Sequence, residues 1–471
     1  MLSSRRRTSE EGDVTNEIVA PAEAQQPIGP PADYPIWHGS FPMRPFIAGR
    51  LRADRFLVAG EGIRVRDAGG RWFLDARSSC WNLGLGYSAD EVKEAIRRQL
   101  DELPNATLLA YDRPAAVTLE YARALRDAFD SRLPYLRFGN SGSQMTETAV
   151  LLSRFVRTLE GTPERTAILS FQFSYHGLGP GASAFSGLAA NFNACGPLLP
   201  DVHFLPVEGG WAANVSRALD ELGPERTSAV IVEPQMGSRG FVPEPDDLVA
   251  VADLCRQHGV HFVADEVTTG FGRTGAMSRC LDLGIEPDMI VLGKNVTSGY
   301  VPIGVLLLSD ELYELAAAPD PPRILTAGSA TDGHPVAAAA GLAVLRVYER
   351  DGILDHVRSV GAFLQERLRA LHAEAIGSGD VQGAGLMQLF PLVDAEGKPW
   401  PPPKLDQLRL ACEDHGLLLS IALSGLWIVP PLISTESDCV EIVEALEAAL
   451  ADVRGAGAEA VGAGSTQEAR P

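Results

Sequence analysis

The chain has 471 residues, 45% of them hydrophobic, and a formal net charge of −21. That length buries a large core in more than one lobe, and the acidic balance disfavours nucleic acid and anionic membranes as partners. Six cysteines (80, 195, 255, 280, 412 and 439) stand without CxxC spacing, which fits reduced thiols in a cytoplasmic protein and gives no zinc site, so no metal is expected.

Residues 1–33 are rich in Pro, Ala, Glu and Gln and are expected to form a disordered tail. The Arg5–Arg7 cluster lacks a following apolar segment, so no secretory signal is read, and no apolar run is long enough to span a bilayer. The aromatic and proline-rich stretch 34–46 returns to the body; Trp37 there either lines a pocket or simply packs. Gly62–Val65 and Trp72–Leu74 flank Asp67–Gly70, a hairpin signal. Ser78–Tyr87 is a glycine-rich loop carrying Trp81. A helix follows, with Ser88 and Glu91 as a capping box and Val92, Ala95, Ile96, Leu100 and Leu103 as its apolar face.

Seven short apolar runs then alternate with helical patterns: Tyr135–Phe138, Ala167–Phe171, Val202–Leu205, Ala229–Val232, His261–Ala264, Met289–Leu292 and Ile303–Leu308. That alternation means an α/β fold, a mainly parallel seven-stranded sheet with helices on both faces. After Pro335 the pattern changes to long helices around Val336–Tyr348 and Val357–Leu371, a few strands, and a closing helix from Thr435. The expected division is a large domain at 88–335 and a smaller α+β domain assembled from 34–87 and 336–453. Residues 454–471 read as a second disordered tail.

Chemistry collects at the strand ends, where ligands of an open parallel sheet bind. Gly139-Asn140-Ser141-Gly142-Ser143 opens a helix, and small residues at a helix N-terminus make a phosphate cradle or merely a cap. Tyr175 can stack on a flat ring or pack. Glu233 ends one strand, Asp265 another, and Lys294 follows a third. Only four lysines occur, at 93, 294, 398 and 404, and Lys294 alone ends an apolar strand. A desolvated lysine attacks carbonyls and shuttles protons, and a carboxylate nearby holds a positive ring nitrogen. Schiff-base lysine plus Asp is what pyridoxal phosphate requires; the bland alternative is a structural Asp–Arg pair beside a lysine reaching for solvent.

These residues sit in motifs that resemble the class III pyridoxal-phosphate aminotransferases, of the aspartate-aminotransferase fold type I. The matching stretches are Gly62…Leu74-Asp75, NSGS at 140–143, SYHG at 174–177, VEP at 232–234, DEVTTGFGRTG at 265–275, GKNVTSGYVPIG at 293–304, GHP at 333–335 and PPLI at 430–433. They span roughly Pro35 to Leu450. The resemblance implies that Lys294 holds the cofactor and then acts as base, and that Asp265 keeps the pyridine nitrogen protonated. It places Tyr175 and Val267 on the two ring faces and Thr268 on the ring-hydroxyl side. Gly142 and Ser143 are assigned to the phosphate, with Ser141, His176 and Glu233 also in the cofactor site. Trp81, with Trp37, is assigned to the substrate pocket. A homodimer or dimer of dimers with sites at the interface is implied, acting on small amine and carbonyl substrates.

Three positions depart from that pattern. Relatives carry a Thr that reaches the neighbouring subunit's phosphate where this chain has Ala330, leaving Ser329 or Thr331 as substitutes. Ser420 stands where an arginine commonly clamps a substrate carboxylate, and Gln382 replaces a further arginine. These losses point to a substrate without that carboxylate, unless Arg239 or Arg44 clamps it from another wall. The expected reaction is a ping-pong transfer of an amino group between an amine or amino acid and an aldehyde or ketone. An aminomutase of the glutamate-semialdehyde type, a class III racemase or epimerase, and an inactive cofactor-binding assembly subunit are the alternatives.

Overall fold

The computed structural model describes residues 34–39, 43–44, 53–109, 112–188, 196–318, 323–377 and 379–464; the expected tail 1–33 lies outside them. Two compact units divide the chain, one of Met1–Ala59 and Arg66–Trp72 and one of Gly60–Val65 and Phe73–Pro471. Trp37 belongs to the first unit and is exposed. All that follows concerns the second.

Its centre is a seven-stranded sheet of β1 (Tyr135–Gly139), β2 (Ala167–Phe171), β3 (Val202–Leu205), β4 (Thr227–Val232), β5 (His261–Asp265), β6 (Met289–Leu292) and β7 (Gly304–Leu308). The order across the sheet is β1-β7-β6-β5-β4-β2-β3. β4, β5 and β6 are parallel, with Val232 beside Ala264 and Asp265 beside Val291. Every residue of these three strands is buried, the signature of a sheet covered on both faces. Side chains alternate between two cores. Val230, Val232, Phe262, Ala264, Ile290 and Leu292 enter one; Ala229, Ile231, Val263, Met289 and Val291 enter the other.

β7 runs antiparallel to both its neighbours, with Gly304 opposite Gly139 and Val305 opposite Leu292. Its beginning therefore lies at the edge where β6 ends. That single reversal brings residues 299–303 to the same rim as the carboxyl ends of the parallel strands.

Helix α1 (Asp90–Glu102) forms without the expected capping box. Its N-cap is Ala89, with no side-chain cap, because the Ser88 hydroxyl accepts the Gly62 amide instead, at 2.9 Å. Val92 and Ala95 are buried as expected, but Leu100 and Leu103 are exposed. Helix α2 (Gly142–Leu159) sends Met145, Ala149, Val150 and Val156 into the second core. Helix α3 (Pro335–Asp351) opens on Pro at a position where the missing N–H costs nothing, and α4 (Ile353–Ala375) follows after Gly352.

Beyond α4 comes a small antiparallel sheet of β8 (Gln382–Ala384), β9 (Met387–Pro391), β10 (Ser420–Ala422) and β11 (Gly425–Ile428), ordered β8-β9-β11-β10. Thr435 and Asp438 cap the closing helix α5 (Glu436–Gly464) reciprocally, each side chain accepting the other's amide, at 3.2 and 2.8 Å. α5 runs past residue 454, where a tail was expected, and 465–471 lie outside the described residues.

Arg273 ties the segment after β5 to this small sheet. It is fully buried and donates to the carbonyls of Leu386 (3.0 Å) and Pro430 (2.5 Å). Burial pushes its guanidinium down to about 10. Arg273→Met would strand both carbonyls, so the variant is expected to lose on the order of 3 kcal/mol. Urea unfolding of the two proteins measures the difference.

Candidate active site

A cleft of about 300 Å³ opens where β1, β2, β4, β5 and β6 end. It is lined by Ser141, Gly142, Ser143, Tyr175, His176, Glu233, Asp265, Val267, Thr268 and Lys294. The topology thus gathers ten positions marked out in the sequence from five separate strand ends. Residues not singled out also line it: Asn82, Asn140 and Gly177, and Thr297 together with Gly299 and Val301–Ile303. Asn82, Asn140 and Gly177 belong to the glycine-rich loop, the 139–143 turn and the SYHG stretch, and 297–303 to the run after Lys294, which reaches the rim because β7 enters antiparallel.

Asp265 is held from behind. Its Oδ2 accepts from His176 Nδ1 at 2.7 Å and its Oδ1 from the Val267 amide at 3.1 Å. His176 is buried, and its Nε2 has no partner among the described residues. The next residue, Glu266, turns away from the cleft. It accepts from Ser278, Thr269 and the amides of Arg279 and Cys280, a purely local brace for the following loop.

Lys294 stands in left-handed backbone, φ +47°, a strain of order 1–3 kcal/mol that persists only where surroundings impose it. Its Nζ donates to Thr268 Oγ1 at 2.5 Å. Burial pushes the ammonium below the usual lysine range, while Cys80, Asp265 and Glu233 pull the other way. A lysine so placed gives up its proton more readily than one in water.

Glu233 is not a bystander. Its carboxylate accepts the Tyr175 amide (2.8 Å) and the Gly237 amide (3.3 Å), so it sets the loop that carries Tyr175. Burial pushes its carboxyl up to about 7; His176 and the two amides oppose this, and Asp265 adds to it.

At the other end of the cleft, Ser141 caps α2 by accepting the Gln144 amide at 3.2 Å. A Cβ at Gly142 would sit 2.6 Å from Val267 Cγ2, so only glycine lets Val267 close on this turn. Small residues at a helix N-terminus, a buried carboxylate with its own donor behind it, and a strained, desolvated lysine fit a phosphorylated pyridine aldehyde.

The remaining expected residues fall outside the cleft lining. Ser329 accepts from Asn140 Nδ2 (2.6 Å) and donates to Asp332 (2.9 Å), and Thr331 donates to Asn140 Oδ1 (2.9 Å). Both hydroxyls therefore brace the turn of their own chain. Trp81 stands near Lys294, and Ser420 accepts its indole N–H at 2.9 Å. Ser420 touches the tryptophan, not the cleft. Arg239 pairs with Glu208 at 3.0 Å and lies over Phe173.

The sequence matches the family model for class III aminotransferases over residues 49–450. The chain belongs to the class III aminotransferases. It is 31% identical over 377 residues to the beta-alanine–pyruvate aminotransferase of Pseudomonas aeruginosa, covering 75% of this chain and 83% of that protein. An (S)-enantioselective omega-transaminase from Thermomicrobium roseum matches the fold with a TM-score of 0.83 at 30% identity, over 88% of this chain and 96% of that one. A PLP-bound amine transaminase from an uncultivated Pseudomonas species matches with a TM-score of 0.84 at 28% identity, over 89% and 99%. This aminotransferase is accordingly a pyridoxal-phosphate enzyme of fold type I.

Two expectations follow. Lys294→Ala is expected to lower turnover by at least about 10²-fold and to abolish borohydride-fixable cofactor, read by mass spectrometry of the reduced protein. For Glu233 the folded state holds its proton more tightly than the unfolded chain. Its stabilising contribution, at most about 3 kcal/mol, is full below pH 4.5 and lost as pH rises through about 7. Denaturant unfolding at pH 5 and pH 8 is expected to show a smaller drop in Glu233→Gln than in the unaltered protein.

Proposed function

We propose that this aminotransferase takes its amino group from an amine that lacks a carboxylate on the reacting side and passes it to an aldehyde or ketone in a ping-pong cycle. The cofactor supplies an electron sink for the electrons of a broken C–H bond. With the cofactor bound, Lys294 would hold its aldehyde and would move the proton of the substrate carbon. Asp265, oriented by His176, would hold the ring nitrogen, and Tyr175 and Val267 would confine the ring. Ser141, Gly142 and Ser143 receive the phosphate, and Thr268 steers Lys294 Nζ.

The observation that carries the substrate reading is the cleft's cation inventory. Among the described lining residues Lys294 is the sole cation. Arg273 is spent on carbonyls and Arg239 on Glu208, and the usual clamp position is Ser420. A carboxylate placed here would lose its hydration without gaining a bidentate partner. The PLP-bound relative named for amines is compatible with a donor that lacks this carboxylate, and the other is named for beta-alanine, whose carboxylate is removed from the amine carbon, with pyruvate, which carries one on the reacting carbon.

The same proposal includes a C2 homodimer working in the cytoplasm. Leu103, Leu108, Leu109, Leu119 and Ile324 are exposed apolar side chains suited to burial against a second copy, and the five described cysteines are free thiols. No helix among the described residues is long and apolar enough to cross a membrane.

Steady-state kinetics with alanine, glutamate, a simple diamine and an arylalkylamine as donors test the substrate reading. Saturation by the amines and none by glutamate is expected. Strong saturation by glutamate in both half-reactions overturns it.

A further inference from the structure

Trp81 is the least relaxed residue near the lysine. Its ring centre stands 5.0 Å from Lys294 Nζ, and the loop that carries it is strained. Ser78, Ser79 and Trp81 all have left-handed backbone, at φ +46°, +60° and +62°. None is glycine, so each conformation costs of order 1–2 kcal/mol. Local bonds hold the loop base: Ser78 Oγ donates to the Val429 carbonyl (2.6 Å) and the Ser79 amide to Asp75 Oδ2 (2.7 Å).

None of these bonds fixes the indole itself. Three other contacts do. The indole meets Trp427 edge-on, with centroids 6.0 Å apart and planes at 67°. It lies against bare backbone at Gly237, where a Cβ would come within 2.4 Å of Cζ3 and 2.9 Å of Cη2. Its single polar atom, Nε1, donates to Ser420 Oγ at 2.9 Å.

The small sheet presets this geometry. Ser420 and Trp427 are register partners on β10 and β11, and paired residues project to the same side. Trp427 is itself locked, its Nε1 donating to the Gly237 carbonyl at 2.7 Å. The edge-on contact limits translation of the Trp81 ring, and the hydrogen bond to Ser420 limits its rotation.

We propose that Ser420 is a positioning residue: its hydroxyl latches the Trp81 indole as a fixed, uncharged roof beside Lys294, and so selects amines with a flat apolar substituent. An aromatic roof stacks with such a substituent only while its plane is held. A loose indole, on a loop already strained, samples orientations that fill the space. The substrate class named here rests on the non-carboxylate reading above; the latch itself does not.

Three proteins test it: the unaltered enzyme, Ser420→Ala and Ser420→Thr, each as holoenzyme with its melting temperature and cofactor absorbance recorded. The donors are isopropylamine and 1-(2-naphthyl)ethylamine with one common acceptor. Loss of one hydrogen bond in Ser420→Ala is expected to lower the ratio of kcat/KM for the naphthyl amine to that for isopropylamine by roughly tenfold, chiefly through KM. Ser420→Thr, which keeps the hydroxyl, is expected to restore it. An unchanged ratio in Ser420→Ala, or no rescue by threonine in a protein that melts normally, overturns the proposal.

A second measurement separates the latch from the substrate class. The Trp81 indole N–H resonance, assigned by its absence in Trp81→Phe, is expected to exchange with solvent much faster in Ser420→Ala. If glutamate proves the preferred donor while this exchange still rises, the substrate reading fails and the latch stands. If exchange does not change, the latch fails whatever the donor.

Discussion

The cleft depends on one buried carboxylate being held from behind. Asp265 sits at the end of a strand buried on both faces, 4% exposed. Its hydrogen bonds come from His176, two strands away in the sheet order, and from Val267 in its own turn. Without those donors a carboxylate in this position would face a desolvation cost of several kcal/mol. With them, both of its oxygens are fixed at the cleft wall. The parallel register of β4, β5 and β6 is what sets Asp265, Glu233 and Lys294 around one opening.

Strain is stored on both sides of that opening. Lys294 and Trp81 both occupy left-handed backbone, and each is tied by one side-chain hydrogen bond, to Thr268 and to Ser420. Residues in such conformations persist where the surrounding fold over-determines them. Here the surroundings are rigid: fully buried strands beneath, the Arg273 clasp at one flank, and the locked Trp427 at the other. The site is preorganised by hydrogen bonds its elements could not make alone.

Charge is arranged with similar economy. Glu233 accepts from the amides of Tyr175 and Gly237, so one carboxylate sets both the Tyr175 loop and the backbone against which Trp81 rests. Glu266 and Arg273, equally buried, are consumed by loop and carbonyl partners. Among the described lining residues Lys294 alone faces the cleft as a cation, and this is the physical basis for proposing an uncharged substrate tail.

The sequence by itself determined the strands, the order of chemical groups at their ends, and hence the cofactor. Seven apolar runs of the right length, each stopped by a turn, leave little freedom in where strands lie, and the series of motifs from 140 to 304, rather than Lys294 alone, carries the resemblance that names the cofactor. Local signals failed where a polar side chain had two possible partners. Ser88 reads as a cap by spacing, yet bonds Gly62, 26 residues away. Ser329 and Thr331, which analogy offers to a phosphate, also each bond Asn140 in their own chain, a pairing no local signal gives. Ser420 reads as a pocket residue, yet serves Trp81, 339 residues distant in the chain. The antiparallel entry of β7, which brings 299–303 to the rim, has no local signal either. Periodicity and turn chemistry are short-range, so they are written in consecutive residues. Which hydroxyl meets which donor depends on how distant elements dock, and only the tertiary structure decided that.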